Sequence, residues 1–254
     1  TTPYNIYKLQ VEKGKTDDKI VLDKLKSTFI DQNKLGISTG EGFYKYPNPS
    51  WQSPDFLKVP EADLSKISIK NVVVAGSGVL GFQIAVQCAY FGYKVTVYDV
   101  NDEALNKAKN RFDVLAEEYK NYLKADEEKI QNTKNNLTYS TDLKASLQDA
   151  DLLIEAVPES IDIKKDFWEK ASEHAPEKTI FASNSSTLLP SRLSTFTDRP
   201  EKFIHLHFAN HIMVRNTAEI MGSDQTDPTV YNEIVEFAKS IAMLPVELKK
   251  EKSG

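Results

Sequence analysis

Apolar residues recur along this chain with two different periods. From about Ile67 onward, short apolar runs are separated by longer stretches in which apolar residues return every three or four positions. The short runs are typical of strands that are covered on both faces, and the longer stretches are typical of the helices that cover them. Strands that alternate with helices predict an α/β fold with a doubly wound, mostly parallel sheet.

The predicted elements follow one another in a regular order. Strands are predicted at 72–75, 94–99, 151–157, 179–182, 203–208 and 217–221, with a last short strand near Val246. Helices are predicted at 79–91, as a pair across 102–131, at 161–174 and at 228–242. Because a helical crossover returns the chain to the same end of the sheet, most of these strands are expected to run parallel.

The first 46 residues follow a different pattern, which predicts a helical segment. Ile20, Leu22, Leu25 and Phe29 are spaced for one helix face, and a glycine-containing turn at 39–42 ends the pattern. Prolines then mark an irregular linker. The predicted divisions are a helical segment at 1–46, a linker at 47–66, an α/β domain at 67–245 and the start of a further connection at 246–254.

Composition narrows the class of protein. The chain has 254 residues and a formal net charge of −5, which argues against a general nucleic-acid binder. No apolar run approaches the ~20 residues that span a membrane, and Thr1 to Tyr4 show no export signal. Cys88 is the only cysteine, which fits a reducing compartment and predicts a packed, inert thiol. We therefore expect a cytoplasmic protein without a nucleic-acid or membrane partner.

A glycine loop follows the first strand of the α/β part and opens its first helix. In this G-x-G-x-x-G sequence, Gly76 permits a tight turn, Gly78 lets a pyrophosphate approach the main chain, and Gly81 lets the helix pack closely on the strand. The helix N-terminus adds free N–H groups and partial positive charge. A glycine turn in an ordinary strand–helix unit is the alternative, but an acidic residue, Asp99, closes the next strand and favours a dinucleotide.

Asp99 also predicts which dinucleotide binds. A carboxylate at this position can accept hydrogen bonds from ribose hydroxyls, and it repels a 2′-phosphate. The sequence therefore predicts a Rossmann-type domain that binds NAD in preference to NADP. The residues expected to bind NAD are Gly76, Ser77, Gly78, Val79, Leu80, Gly81 and Asp99.

A histidine and a glutamate occupy the later predicted strands, where ligands of such sheets bind beyond the carboxyl ends. His207 lies on the fifth predicted strand and Glu219 twelve residues further on, so adjacent strands would bring them together. An imidazole can remove a hydroxyl proton during alcohol oxidation, and a carboxylate on its far nitrogen would hold the tautomer. From spacing alone, a structural role and a catalytic role are equally possible for His207.

A histidine metal site is a further interpretation of this segment. His205 and His207 share one strand face and His211 lies close by, and imidazoles are frequent ligands of transition metals. No carboxylate cluster with matching spacing accompanies them, so we predict no metal site.

The order of these motifs resembles the 3-hydroxyacyl-CoA dehydrogenases, including bacterial 3-hydroxybutyryl-CoA dehydrogenases. The glycine loop is followed by Glu155-Ala156-Val157-Pro158-Glu159, then Ser183-Asn184-Ser185-Ser186, then His207-Phe208-Ala209-Asn210 and Glu219. The resemblance covers about 67–254 and implies NAD-dependent interconversion of a short-chain (S)-3-hydroxyacyl-CoA and the 3-oxoacyl-CoA. It implies a catalytic base at His207 with Glu219 as its partner, and contacts of Ser186 with both substrate and cofactor. It also implies an NAD site lined by Glu159, Lys164 and Asn210, with Asn210 helping to position the substrate.

Departures from the family pattern leave the substrate open. His211 stands where the family usually has proline, and His205 where glycine is frequent. Leu115 and Tyr122 stand where some members contact coenzyme A. A dehydrogenase of a free hydroxy acid, such as carnitine or a sugar acid, is therefore an alternative.

The order of segments departs from the family as well. Residues 1–46 resemble the end of the family's C-terminal helical domain, yet they precede the nucleotide-binding domain, and part of that helical domain has no counterpart. A circular permutation, a fragment of a tandem protein or an incomplete, reordered chain would each give this order. A non-catalytic NAD-binding module is thus a further alternative. We expect 1–46 to lie beside the nucleotide domain, with Gly40 to Tyr46 near the cofactor cleft and Tyr46 near Gly254. We also expect the protein to form a homodimer.

Overall fold

The structure, a computed structural model, describes residues 2–52 and 58–251. The chain divides into two compact units, Thr1–Lys58 and Val59–Gly254. The last residues of the predicted 246–254 connection, including Gly254, and the centre of the predicted linker lie outside the described residues. The predicted placement of 1–46 beside the cofactor cleft stays a prediction.

The first unit is a small helical segment. Helices α1 (Thr2–Glu12) and α2 (Lys19–Leu25) are followed by a π-helical turn, Lys26–Ile30, so helices fill much of the stretch predicted as helical. Gly40 has a left-handed φ of 77° and closes a 3₁₀ turn before Phe43, whose ring lies 4.4 Å from that of Phe29 between centroids. None of the described residues in these helices is fully buried.

The second unit is built on one sheet of eight described strands. They are β1 (Asn71–Ala75), β2 (Lys94–Tyr98), β3 (Leu137–Ser140), β4 (Leu152–Glu155), β5 (Ile180–Ser183), β6 (Phe203–Phe208), β7 (Thr217–Met221) and β8 (Leu244–Leu248). Their order is β3-β2-β1-β4-β5-β6-β7-β8, and β6–β7 is the antiparallel pair. The predicted doubly wound, mostly parallel sheet is confirmed.

One strand was missing from the prediction. The third predicted strand is 151–157, but the third strand in the structure is β3, and 151–157 contains the fourth. Only Leu137 of β3 is buried, because this strand lies at the edge of the sheet. An edge strand with a single buried residue lacks the apolar run that marks its neighbours.

Helices cover both faces of this sheet. They are α3 (Val79–Tyr90), α4 (Asp102–Leu123), α5 (Glu127–Asn135), α6 (Leu143–Leu147), α7 (Ile161–His174), α8 (Pro190–Leu193) and α9 (Pro228–Ser240). The predicted helix pair across 102–131 is confirmed as α4 and α5. The side chains of Asn101 and Asp126 cap these two helices by accepting hydrogen bonds from main-chain N–H groups.

Two apolar clusters, one on each face, hold the sheet between the helices. Alternate residues of β1 enter opposite clusters, Val72 and Val74 in one, Val73 and Ala75 in the other. This alternation explains why the strand is an unbroken apolar run. Cys88 is fully buried in the first cluster, and burial raises the pKa of its thiol to about 12, which fits the inert thiol predicted. No described helix is long and apolar enough to cross a membrane.

Candidate active site

The glycine loop between β1 and α3 contains three glycines, and each position has a different structural reason for being glycine. Gly76 has a φ of 98°, and a Cβ there would lie 2.4 Å from the Ala156 carbonyl oxygen. A Cβ on Gly81 would lie 2.0 Å from the Gly76 oxygen. Gly78 is different, because its φ is −58° and no atom lies within 4 Å of the position of a Cβ. The fold itself therefore requires Gly76 and Gly81, whereas Gly78 leaves open space at the helix N-terminus, as a bound pyrophosphate needs.

A cavity of about 760 Å³ lies beside this loop, a volume within the range of cofactor sites. Its lining includes four of the residues predicted to bind NAD, Gly76, Ser77, Gly78 and Asp99. Arg111 also lines it and can offset the charge of a pyrophosphate, whereas the lining residues Lys107 and Lys170 form ion pairs of 2.7 Å with Glu103 and Asp166. The predicted residues Val79, Leu80, Gly81, Glu159, Lys164 and Asn210 are not part of this lining. The residues present fit the adenosine and pyrophosphate portions of NAD.

The predicted catalytic pair is brought together by the register of two strands. His207 on β6 lies directly opposite Glu219 on the antiparallel strand β7. The distance from His207 Nδ1 to Glu219 Oε2 is 2.8 Å, and the side chains are 30% and 50% exposed. With a proton on Nδ1 donated to Glu219, the remaining nitrogen, Nε2, can accept a proton from a substrate.

A buried ion pair lies where β4 meets α7. The side chains of Glu155 and Lys164 are 0% and 1% exposed, and Lys164 Nζ lies 2.5 Å from Glu155 Oε1. Glu155 also accepts hydrogen bonds from the Ser183 hydroxyl at 2.7 Å and the Val157 N–H at 2.9 Å. Burial raises the pKa of the Glu155 carboxyl, and the charge of Lys164 opposes that shift. Lys164 is one of the residues expected to contact NAD, whereas no role is predicted for its partner Glu155.

Glu159 extends this ion pair toward the surface. Its Oε2 lies 3.2 Å from Lys164 Nζ, and its Oε1 accepts hydrogen bonds from the Ser185 and Thr187 hydroxyls. Partial burial opposes ionisation of this carboxyl, but these hydrogen bonds and the charge of Lys164 lower its pKa to about 2. Both residues predicted to contact NAD here, Glu159 and Lys164, are thus fixed by contacts within the chain, and their contacts with NAD stay a prediction.

The other predicted substrate residues lie at the ends of β5 and β6. Ser186 and Asn210 are exposed, in the loops that follow these two strands. Asn184 joins the loops, because its side-chain oxygen accepts a hydrogen bond of 2.8 Å from the Phe208 N–H. Asn184 belongs to the motif Ser183-Asn184-Ser185-Ser186, but the sequence does not predict this structural role.

The three neighbouring histidines occupy different environments. His205 is 2% exposed, and its Nε2 has no hydrogen-bond partner in the part of the chain that the structure describes. Burial, and then the charge of Lys164, lower the pKa of this imidazole to about 3. His211 is exposed. Among residues 2–52 and 58–251, no group of three or more His, Cys, Asp or Glu side chains is arranged to hold a metal ion.

Comparison with known proteins identifies relatives of the larger unit. The family "3-hydroxyacyl-CoA dehydrogenase, NAD binding domain" matches residues 71–252. The mitochondrial hydroxyacyl-coenzyme A dehydrogenase of Homo sapiens is 31% identical over 193 residues, which are 74% of this chain and 62% of the human protein. A probable 3-hydroxybutyryl-CoA dehydrogenase of Bacillus subtilis is 29% identical, over 72% of this chain and 63% of that protein. The chain thus spans less than two thirds of these curated relatives.

Solved structures give the same fold, and one of them has a higher sequence identity than these curated relatives. A structure described as "Substrate-directed dual catalysis of dicarbonyl compounds by diketoreductase" is 55% identical, with a TM-score of 0.72 over 73% of this chain and 66% of that one. The (S)-3-hydroxybutyryl-CoA dehydrogenase of Ralstonia eutropha is 27% identical, with a TM-score of 0.68 over 71% of this chain and 64% of that one.

Proposed function

The chain belongs to the 3-hydroxyacyl-CoA dehydrogenase family, and from this premise we propose that it interconverts a short-chain (S)-3-hydroxyacyl-CoA and the 3-oxoacyl-CoA. The cofactor is NAD, as the NAD-binding domain of the family and the cavity beside Asp99 both indicate. The observation that carries the proposal is the contact between His207 and Glu219 at 2.8 Å. A histidine held by a carboxylate is the arrangement that general base catalysis on an alcohol requires.

The proposed mechanism assigns proton transfer to the pair and positioning to its neighbours. His207 Nε2 removes the proton of the substrate hydroxyl, and bound NAD supplies the hydride acceptor. Glu219 holds Nδ1–H and stabilises the imidazolium that forms. Ser186 and Asn210, exposed at neighbouring strand ends, orient the reacting end of the substrate. In the reductive direction the imidazolium returns its proton to the new alkoxide.

A second candidate substrate is a dicarbonyl compound or hydroxy acid that is not attached to coenzyme A. The solved diketoreductase, which is described as acting on dicarbonyl compounds, is 55% identical to this chain, compared with 31% for the human dehydrogenase. Leu115 is buried, so its side chain offers little surface to a carrier. Tyr122 is 62% exposed but lacks the positive charge that would bind a phosphate.

A substrate panel decides between these two candidates. The full chain is mixed with NADH and either acetoacetyl-CoA, the free acid acetoacetate, or a 3,5-dioxo ester, and oxidation of NADH is followed. The thioester proposal expects acetoacetyl-CoA to have the highest kcat/KM. Preference for the dioxo ester or the free acid would overturn it in favour of the second candidate. NADH binding without turnover on any substrate would support a non-catalytic NAD-binding module instead.

We also propose that the protein forms a homodimer through its first unit. Large apolar side chains are exposed there, with Ile20 at 80%, Ile37 at 78% and Phe43 at 63%. Covering such surface is favourable by roughly 25 cal/mol per Å², and a symmetric dimer is the commonest way for a soluble chain to cover it. Mass measurement in solution tests this, and a monomer at all concentrations would contradict it.

A further inference from the structure

The side chain of Gln83 joins helix α3 to the segment between the two residues of the catalytic pair. Gln83 lies on α3 and is 9% exposed. Its Oε1 accepts hydrogen bonds from the main-chain N–H groups of His211 at 3.0 Å and Ile212 at 3.3 Å. These two residues directly follow Asn210. The helix that begins at the glycine loop is therefore tied to the chain that leaves the carboxyl end of β6.

The backbone conformation of His211 restricts which residues can make this contact with Gln83. His211 has a φ of 62°, in the left-handed region that few non-glycine residues adopt. Proline, which the resemblance predicts at this position, has a φ fixed near −65° and no N–H to donate. Proline could therefore supply neither the conformation nor the hydrogen bond. The contact with Gln83 therefore requires a residue other than proline at position 211.

The residues that follow His211 form a compact loop, 211–214. The N–H groups of Val214 and Arg215 both donate to the His211 carbonyl at 2.9 Å, which closes the turn. Ile212 anchors the loop, since it is 2% exposed and belongs to the apolar cluster of α3 and α4. Residues on both sides of this contact line a cavity of about 60 Å³, namely Gln83, Leu115, Glu118, Tyr122, His211 and Met213.

We propose that Gln83 is a positioning residue of the substrate site, which fixes the 211–214 loop against α3 and through it the position of Asn210. This inference rests on the proposed function. Gln83 acts through the loop and does not line the 760 Å³ cavity that fits the adenosine and pyrophosphate portions of NAD. Its loss therefore changes KM and kcat for the carbonyl substrate more than it changes NADH affinity. Removing one acceptor that serves two N–H groups increases loop opening by about ten- to a hundredfold.

Matched substitutions at both ends of the contact test this proposal. Gln83→Met removes the acceptor at similar length, and Gln83→Glu keeps an acceptor oxygen. His211→Pro removes the N–H and forbids the left-handed φ, whereas His211→Gly keeps both. Hydrogen exchange of the 211 and 212 amides reports the loop, and steady-state kinetics with NADH report the substrate site.

Gln83→Met and His211→Pro are expected to speed exchange of the two amides and to change KM and kcat for the substrate. Gln83→Glu and His211→Gly are expected to keep exchange rates and kinetic constants close to those of the unaltered protein. Unchanged exchange in Gln83→Met would overturn the proposal, and so would faster exchange with unaltered kinetics. If the unaltered protein turns over no carbonyl substrate, the proposed function and the substrate part of this inference both fail. The exchange rates would still decide separately whether Gln83 holds the loop.

Discussion

Asp99 accepts two hydrogen bonds at Oδ2 from Ser77, one from the main-chain N–H at 2.7 Å and one from the hydroxyl at 2.6 Å. The residue that follows β2 is thereby tied to the second residue of the glycine loop. Its other oxygen, Oδ1, accepts the Val100 N–H at 2.8 Å. The carboxylate is fixed in the wall of the large cavity, where it can meet a ribose hydroxyl.

Asp99 should therefore determine the choice between NAD and NADP. We expect Asp99→Ala to weaken NADH binding about ten- to a hundredfold, the equivalent of one hydrogen bond to a charged group. NADPH binding should weaken less, since the variant no longer repels the 2′-phosphate. Titration with both cofactors, followed by nicotinamide fluorescence, measures this. Ser77→Ala loosens the carboxylate without removing it, so its NADH affinity should lie between those of the unaltered protein and Asp99→Ala. Equal affinity of the unaltered protein for NADPH and NADH would contradict the assignment.

Gly78 and Gly81 should respond differently to the same substitution. Gly81→Ala places a Cβ 2.0 Å from the Gly76 carbonyl oxygen, so the helix must shift and the free energy of unfolding should fall by about 1–3 kcal/mol. Gly78→Ala meets no atom within 4 Å, and the fold should tolerate it. A methyl group there would occupy the path of the pyrophosphate, so NADH affinity should drop.

Urea unfolding and NADH titration together separate the two effects. If Gly78→Ala keeps both its stability and its NADH affinity, the pyrophosphate does not approach the main chain at this loop position.

The glycine loop and the contact between His207 and Glu219 could be predicted from the sequence, because both depend on segments that are close along the chain. Gly76 has a left-handed φ of 98°, and Gly81 lies against the Gly76 carbonyl oxygen within the same strand–turn–helix unit. The contact of His207 and Glu219 follows from the pairing of two neighbouring strands. For His207, spacing alone left a structural role open, and the contact with Glu219 is what favours the catalytic one.

Other features depend on contacts between distant segments. Glu155 and Lys164 carry charges that are rarely fully buried, and nothing in the local pattern indicates that each neutralises the other inside the fold. Gln83 interrupts the apolar sequence of α3, but its acceptor role depends on a loop 128 residues away. Such contacts become visible only when the strands and helices are placed in three dimensions.

Replacing the proposed base, His207, should abolish most turnover without affecting NADH binding. We expect His207→Gln to lower kcat by 10²–10⁴-fold, the range that general base catalysis typically contributes. Glu219→Gln keeps a hydrogen-bond acceptor but loses the charge that stabilises the imidazolium, so its kcat should fall less. Stopped-flow measurement of NADH binding provides the control, because neither side chain lines the large cavity. Unaltered turnover in His207→Gln would show that another group is the base.

The buried imidazole of His205 should make the protein less stable in weak acid. Its pKa is lowered from 6.5 to about 3 in the folded chain, chiefly by burial. Below pH 6.5 the unfolded chain binds a proton that the folded chain does not, so the free energy of unfolding falls as pH decreases toward 3. For one such group the loss between pH 7 and pH 5 is about 2 kcal/mol. Glu159 contributes little to this change, because its stabilisation is lost mainly below pH 4.5, as the pH falls toward a pKa of about 2.

Urea unfolding of the unaltered protein, His205→Asn and His205→Leu at these two pH values measures the effect. Each variant removes the titrating group, so the decrease in unfolding free energy from pH 7 to pH 5 should be smaller in both by about 2 kcal/mol. Any change in packing alters stability at both pH values and cancels from the difference. The two variants therefore should agree with each other even if one is less stable. An equal decrease in all three proteins would mean that His205 is protonated in the folded chain at pH 5, contrary to its burial beside Lys164.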